Sequence, residues 1–111
     1  MDKDDSSAND INELKQAAKF FNTRWLHMAD SGAAVHYREA QEDNAKTCVI
    51  LHGLTGTSYS MLLLADAYRR RGWRVVVPDL PGHGSSSAIP VKHMHDLADW
   101  LYAVLRQLCP E

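Results

Sequence analysis

The sequence is poor in the features that would place it quickly. Its two cysteines, Cys48 and Cys109, stand at no metal-ligand spacing, and Cys48 lies inside an apolar run, as a small buried hydrophobe does. No apolar run approaches the roughly 18–20 residues that span a bilayer. The first residues, Met1-Asp2-Lys3-Asp4-Asp5-Ser6-Ser7, are acidic and polar, the opposite of a signal peptide's basic start, so a cytoplasmic location is expected. A dominant charge is missing as well. The formal net charge is −2 and the pI about 6.3, which gives no electrostatic reason to expect nucleic acid or an anionic membrane as partner. Nucleotide cradles are also absent: no Lys follows Gly56 as a Walker loop requires, and Gly-x-Gly-x-x-Gly does not occur. No cofactor is expected.

What is present is an ordinary globular composition, 45% apolar and 23% charged over 111 residues, enough for one domain with a modest core. Residues 1–9 read as a disordered tail. Residues 10–22 read as an amphipathic helix, opened by the box-like Asp10-Ile11-Asn12-Glu13, with Ile11, Leu14, Ala17, Ala18 and Phe21 at helical spacing. Residues 23–111 form the α/β part. Thr23–Met28 and Ala34–Glu39 flank the turn residues Asp30-Ser31-Gly32 and read as an antiparallel hairpin.

Thr47-Cys48-Val49-Ile50-Leu51 is continuously apolar, as a strand buried on both faces would be. A helix follows over about 58–71, with Met61, Leu64, Ala65 and Tyr68 as its buried stripe, widened by Leu62 and Leu63. Arg69-Arg70-Arg71 suits the negative end of that helix, and Gly72 its C-cap. Arg74–Val77, closed by Pro78, is a second buried strand, so the unit is βαβ with parallel strands. Leu97, Trp100, Leu101, Val104, Leu105 and Leu108 line one stripe of a last helix, which Pro110 halts.

Two loops then lie at the carboxyl ends of the parallel strands, where open α/β sheets hold their ligands. They are His52-Gly53-Leu54-Thr55-Gly56 and Asp79-Leu80-Pro81-Gly82-His83-Gly84-Ser85. Leu51–Gly56 followed by Val77–Ser85, in this order and between these elements, resembles the α/β-hydrolase superfamily, in its esterase, lipase and C–C hydrolase-like members. The resemblance covers roughly residues 23–109 and implies the front part of that fold: an antiparallel hairpin, a βαβ unit and a following helix in a mostly parallel sheet, truncated before the strand that leads to the nucleophile elbow.

The resemblance implies a mechanism in which a Ser on Gly-x-Ser-x-Gly attacks an acyl carbonyl, a His takes its proton and an acid orients the His. Backbone N–H groups hold the oxyanion. Carried onto this chain, the loop donor is the N–H of Leu54, with Gly53 allowing a tight turn and His52 in support. Asp79, Gly82, His83 and Gly84 are implied as structural loop residues, Asp79 fixing the loop by hydrogen bonding. Nucleophile, acid and base are absent, for Gly-x-Ser-x-Gly occurs nowhere and Gly56-Thr57-Ser58-Tyr59-Ser60 misses its last Gly. Ser58 reads as a helix N-cap.

His93 and His95, at i, i+2, should point to different sides of a helix, and without a cysteine or carboxylate at ligand spacing no metal is expected. His27 and His36 read as surface or edge residues of the hairpin. The expected function is that of an N-terminal hydrolase fragment, inactive alone, whose ester-like substrate binds only once the chain is completed. The alternative is a non-enzymatic module that self-associates or takes a complementing chain through a strand edge exposed at 47–51. The isolated chain is expected to be marginally stable or oligomeric, with the Trp100 face of the last helix short of packing partners.

Overall fold

In the computed structural model, residues 3–29, 31–41, 43, 46–53 and 55–109 are described. Asp30, Leu54 and Pro110, each singled out above, lie outside them. The chain opens with α1 (Lys3–Ala18) and continues through β1 (Asn22–His27), β2 (Ala34–Ala40) and β3 (Thr47–Val49). A 3-10 turn (Ser58–Met61) leads into α2 (Leu62–Arg69), followed by β4 (Arg74–Pro78) and α3 (Met94–Leu108). The helix thus begins at Lys3 and not at a cap on Asp10. No Gly or Pro interrupts residues 3–18, so nothing in that stretch breaks a helix once it has formed.

The strands form one sheet in the order β1-β2-β4-β3. β1 and β2 pair antiparallel with Leu26 opposite Val35, β2 and β4 pair antiparallel with Tyr37 opposite Pro78, and β3 and β4 pair parallel with Cys48 opposite Val75. The sheet is therefore mixed and not mostly parallel. The hairpin contributes two strands, and the single βαβ unit contributes one parallel contact. The hairpin reverses after Met28, where Gly32, at φ 72°, donates its N–H to the Met28 carbonyl at 2.8 Å.

Two apolar layers cover opposite faces, as the alternation of side chains along a strand dictates. On one, Leu62 and Ala65 of α2 pack on Val75 and Val77 with Ala40, Ile50 and Phe21, and Leu14 and Ala18 of α1 close the layer. Leu62, Ala65, Val75 and Val77 are fully buried, and each Val or Leu so placed contributes about 1.5–3 kcal/mol. On the other face, Trp100 and Val104 of α3 pack on Met28, Val35 and Leu80.

Several expectations change here. The buried stripe of α2 is Leu62 and Ala65, while Leu64 and Tyr68 are 49% and 38% exposed. α1 covers one flank of α2 and leaves the other open. Strand β3 is half-buried along 47–49, and Leu51 is exposed, because β3 has a neighbour on one side only. Trp100 does find its partners: the hairpin end and Leu80 leave it 6% exposed. No helix of the described residues is long and apolar enough to cross a membrane.

Candidate active site

Strands β3 and β4 run parallel, so their carboxyl ends reach the same edge of the sheet and the loops that leave them meet there. One buried imidazole joins those loops. His52 Nδ1–H donates to the Gly53 carbonyl at 2.6 Å, and Nε2 accepts the N–H of Leu80 at 3.0 Å. A carbonyl can only accept and an amide N–H can only donate, so the proton sits on Nδ1. Gly56 N–H adds a second bond to the Gly53 carbonyl, at 3.0 Å. The His83 ring lies 5.2 Å from that of His52, and its Nδ1–H donates to Pro81 O at 3.0 Å inside its own loop.

Asp79, the first residue past β4, is almost wholly buried, and three segments converge on its carboxylate. Oδ1 accepts the N–H of Ser58, which opens the 3-10 turn, at 2.6 Å. Oδ2 accepts from His36 Nδ1 of β2 at 2.7 Å and from Ser85 N–H of its own loop at 3.4 Å. Burial pushes this carboxyl up, but the donors from Ser58, His36 and Ser85 outweigh it and hold Asp79 below the usual carboxylate range. Gly84, at φ 53°, lies against this carboxylate, and a Cβ there would run into it. Gly82, at φ 73°, turns the same loop and would bring a Cβ to 3.6 Å from Ala88. Ser86 completes the knot, donating from Oγ to Asp79 O at 2.8 Å and accepting His36 N–H at 2.9 Å.

Residue by residue, the sequence reading needs amendment. Ser58 is not the cap. Thr57 holds that place, and Ser58 follows it, fully buried, with Oγ accepting from Arg38 Nε at 3.0 Å. The anion at this helix start is the Asp79 carboxylate, a favourable place for negative charge. His36 is no surface residue, for it is buried and bound to Asp79. Gly53 has no positive φ and nothing within 4 Å of where a Cβ would stand, so a tight turn is not its reason. His93 and His95 do not diverge: their rings stack at 5.3 Å, because His93 is the extended cap residue and not part of the helix. The pair His36–Asp79 ties strand to loop.

The residues missed from sequence were His36, Arg38 and Ser86. No local signal marked them: β2 is covered on both sides because it lies between β1 and β4, an order that spacing along the chain does not give, and polar residues buried there are paired internally.

The order β1-β2-β4-β3, with the two joined loops at the ends of β3 and β4, is that of a known architecture, and the sequence model for the α/β-hydrolase fold matches residues 46–110. The chain belongs to the α/β-hydrolase family. It is 37% identical over 91 residues to a thermostable monoacylglycerol lipase of Bacillus sp. (strain H-257), covering 71% of this chain and 32% of that protein. Among solved structures, epoxide hydrolase VrEH1 from Vigna radiata superposes with TM-score 0.70 at 25% identity, over 81% of this chain and 29% of that one. A bacterial membrane phospholipase A superposes with TM-score 0.73 over 92% and 32%, and at 20% identity that likeness concerns the fold. The chain spans about a third of the length of these α/β-hydrolase relatives.

Proposed function

We propose that this chain supplies the oxyanion-loop side of an ester-hydrolysing α/β-hydrolase site and does not hydrolyse esters by itself. The observation that carries the reading is the clamp on the Gly53 carbonyl. His52 and Gly56 both donate to that oxygen. The clamp fixes the loop at the residue before the one from which the family resemblance draws an oxyanion donor, Leu54, which lies outside the described residues. The 111 residues contain no Gly-x-Ser-x-Gly to provide the attacking hydroxyl. The lipase relative supports a carboxylic ester as the substrate class.

The purified chain is expected to leave p-nitrophenyl butyrate unhydrolysed and to resist labelling by a fluorophosphonate. Mixed with the remaining two thirds of a monoacylglycerol lipase relative, it is expected to gain esterase activity, with kcat falling about 10²-fold or more in His52→Ala if one oxyanion donor is lost. Hydrolysis by the 111 residues alone would overturn the reading, and its loss in Ser58→Ala would make Ser58 the nucleophile.

A second reading, association in place of catalysis, is favoured by one observation. β3 has a hydrogen-bonded neighbour on one side only, and Leu51, Leu64 and Tyr68 are exposed.

A further inference from the structure

The strands carry three arginines, and two of them have a carboxylate at hand. Arg24 and Arg74 both meet Glu39. Arg38, half-buried on β2, has none within ion-pair distance among the described residues. Its Nε–H donates to the Ser58 hydroxyl at 3.0 Å, and its guanidinium lies 5.2 Å over the Tyr59 ring. A guanidinium cannot shed its proton, so a half-buried one calls for a counter-charge.

That counter-charge stands one hydroxyl away. Ser58 is fully buried, and its N–H reaches Asp79 Oδ1 at 2.6 Å. Its hydroxyl bonds to the same carboxylate. Oγ accepts from Arg38 with a lone pair and gives its own proton to Asp79, so one hydroxyl links cation to anion. An ionised carboxylate has about four acceptor sites, which leaves room for His36 Nδ1 and Ser85 N–H beside Ser58. His36 and Arg38 stand two apart on β2 and share one face of the sheet, so a single strand approaches the carboxylate from both of its oxygens. The loop after β3 is thereby held at both ends, at the Gly53 carbonyl by His52 and Gly56 and at Ser58 by Asp79. Arg38, Ser58, Tyr59 and Asp79 are buried or half-buried, and none stands on the β3 edge.

We propose that Arg38 is a positioning residue of the oxyanion loop: it is the counter-charge of Asp79, acts through the Ser58 hydroxyl, and fixes the end of the loop remote from Gly53. The proposal deepens the oxyanion-loop reading and rests on it for its function. The groups that face the Asp79 carboxylate are His36 from β2, Ser58 from the 3-10 turn with Arg38 behind it, and Ser85 from its own loop. Among them Arg38 carries a charge at every working pH. It also grips two consecutive residues of the turn, the Ser58 hydroxyl and the Tyr59 ring, so the turn is held in place as well as neutralised.

The test uses the 111-residue chain and needs no esterase activity. Urea unfolding at pH 7 is expected to give Arg38→Gln a folding constant about tenfold below the parent's, the loss of one hydrogen bond to a charged group. Arg38→Lys, which keeps the charge, should stay within about threefold of the parent. On a Ser58→Ala background, Arg38→Gln should change the constant by less than about twofold, since the link is already cut. The gap between parent and Arg38→Gln is full above about pH 3.9 and closes as pH falls through the folded value of Asp79, because protonation removes the charge that Arg38 balances. The NMR signals of the Gly53 and Gly56 amides should move in Arg38→Gln and return in Arg38→Lys. Should the variants fail to fold, the parent decides: its Arg38 Nε–H is expected to be protected from exchange at pH 7. Additive losses from Arg38→Gln and Ser58→Ala overturn the proposal, as do an unprotected Nε–H, unmoved loop amides or a gap that ignores pH. An unchanged folding constant in Arg38→Gln would make His36 the only partner of Asp79 that matters and also overturns it. Failure of the completed enzyme to hydrolyse esters, with the coupling intact, would remove the oxyanion reading and leave Arg38 as the counter-charge of Asp79.

Discussion

Asp79 and its neighbours concentrate the polar interior of the molecule in a few atoms. The carboxylate holds the start of the 3-10 turn, the middle of β2 and its own loop at once. Replacing it by Asn removes a buried charge that three donors expect, and Asp79→Asn should cost about 3–5 kcal/mol by urea unfolding at pH 7. The pH dependence has a definite sign. The folded pKa lies below the unfolded one, so the stabilisation is complete above about pH 3.9 and is lost as pH falls through the folded value. Half-buried Asp96, lowered by the N–H groups of Lys92 and His93, contributes in the same direction. Urea midpoints should therefore fall with acidification below about pH 4 in the parent and much less steeply in Asp79→Asn. The glycines separate two roles. Gly84→Ala meets the Asp79 carboxylate from a left-handed backbone and should cost about 2–4 kcal/mol. Gly53→Ala meets nothing and should stay within about 0.5 kcal/mol, so equal losses in both variants would contradict the geometry.

Among the elements, the hairpin and β4 tie the sheet together through charge as well as ladders. Glu39, buried on β2, receives Arg24 at 3.0 Å and Arg74 at 2.6 Å, and Arg74 also donates to the Leu108 carbonyl at the end of α3. Burial pulls the Arg74 guanidinium down, and its bonds to Glu39 more than restore it. α3 is held at its middle by Trp100, which fills the space between the hairpin end and Leu80. Trp100→Ala should cost about 3–5 kcal/mol and lower the urea midpoint accordingly. A change under about 1 kcal/mol would mean that α3 is not docked as described. α2 behaves differently, because its outer flank is open and only Leu62 and Ala65 are wholly buried.

At the scale of the whole molecule, a sheet of four strands ends on one side in β3, whose residues 47–49 carry no charge. The strands, the presence of three helices and the two motif loops were legible along the chain, because periodicity, turn glycines such as Gly32 and Gly72, and a βαβ spacing are local properties, whereas the start of α1 at Lys3 and the cap at Thr57 were not. The family could be named from Leu51–Gly56 and Val77–Ser85 for the same reason, and the match over residues 46–110 agrees. Other features came from strand order alone. β2 lies between β1 and β4, which buries His36 and delivers it to Asp79, 43 residues away along the chain. α1 docks on one flank of α2, which turns Leu62 inward and leaves Leu64 and Tyr68 outside, although all three are apolar and belong to one short helix. Composition ranks residues by their tendency to be buried. Which of them succeed is set by the neighbours that the fold brings, and those neighbours are remote in sequence.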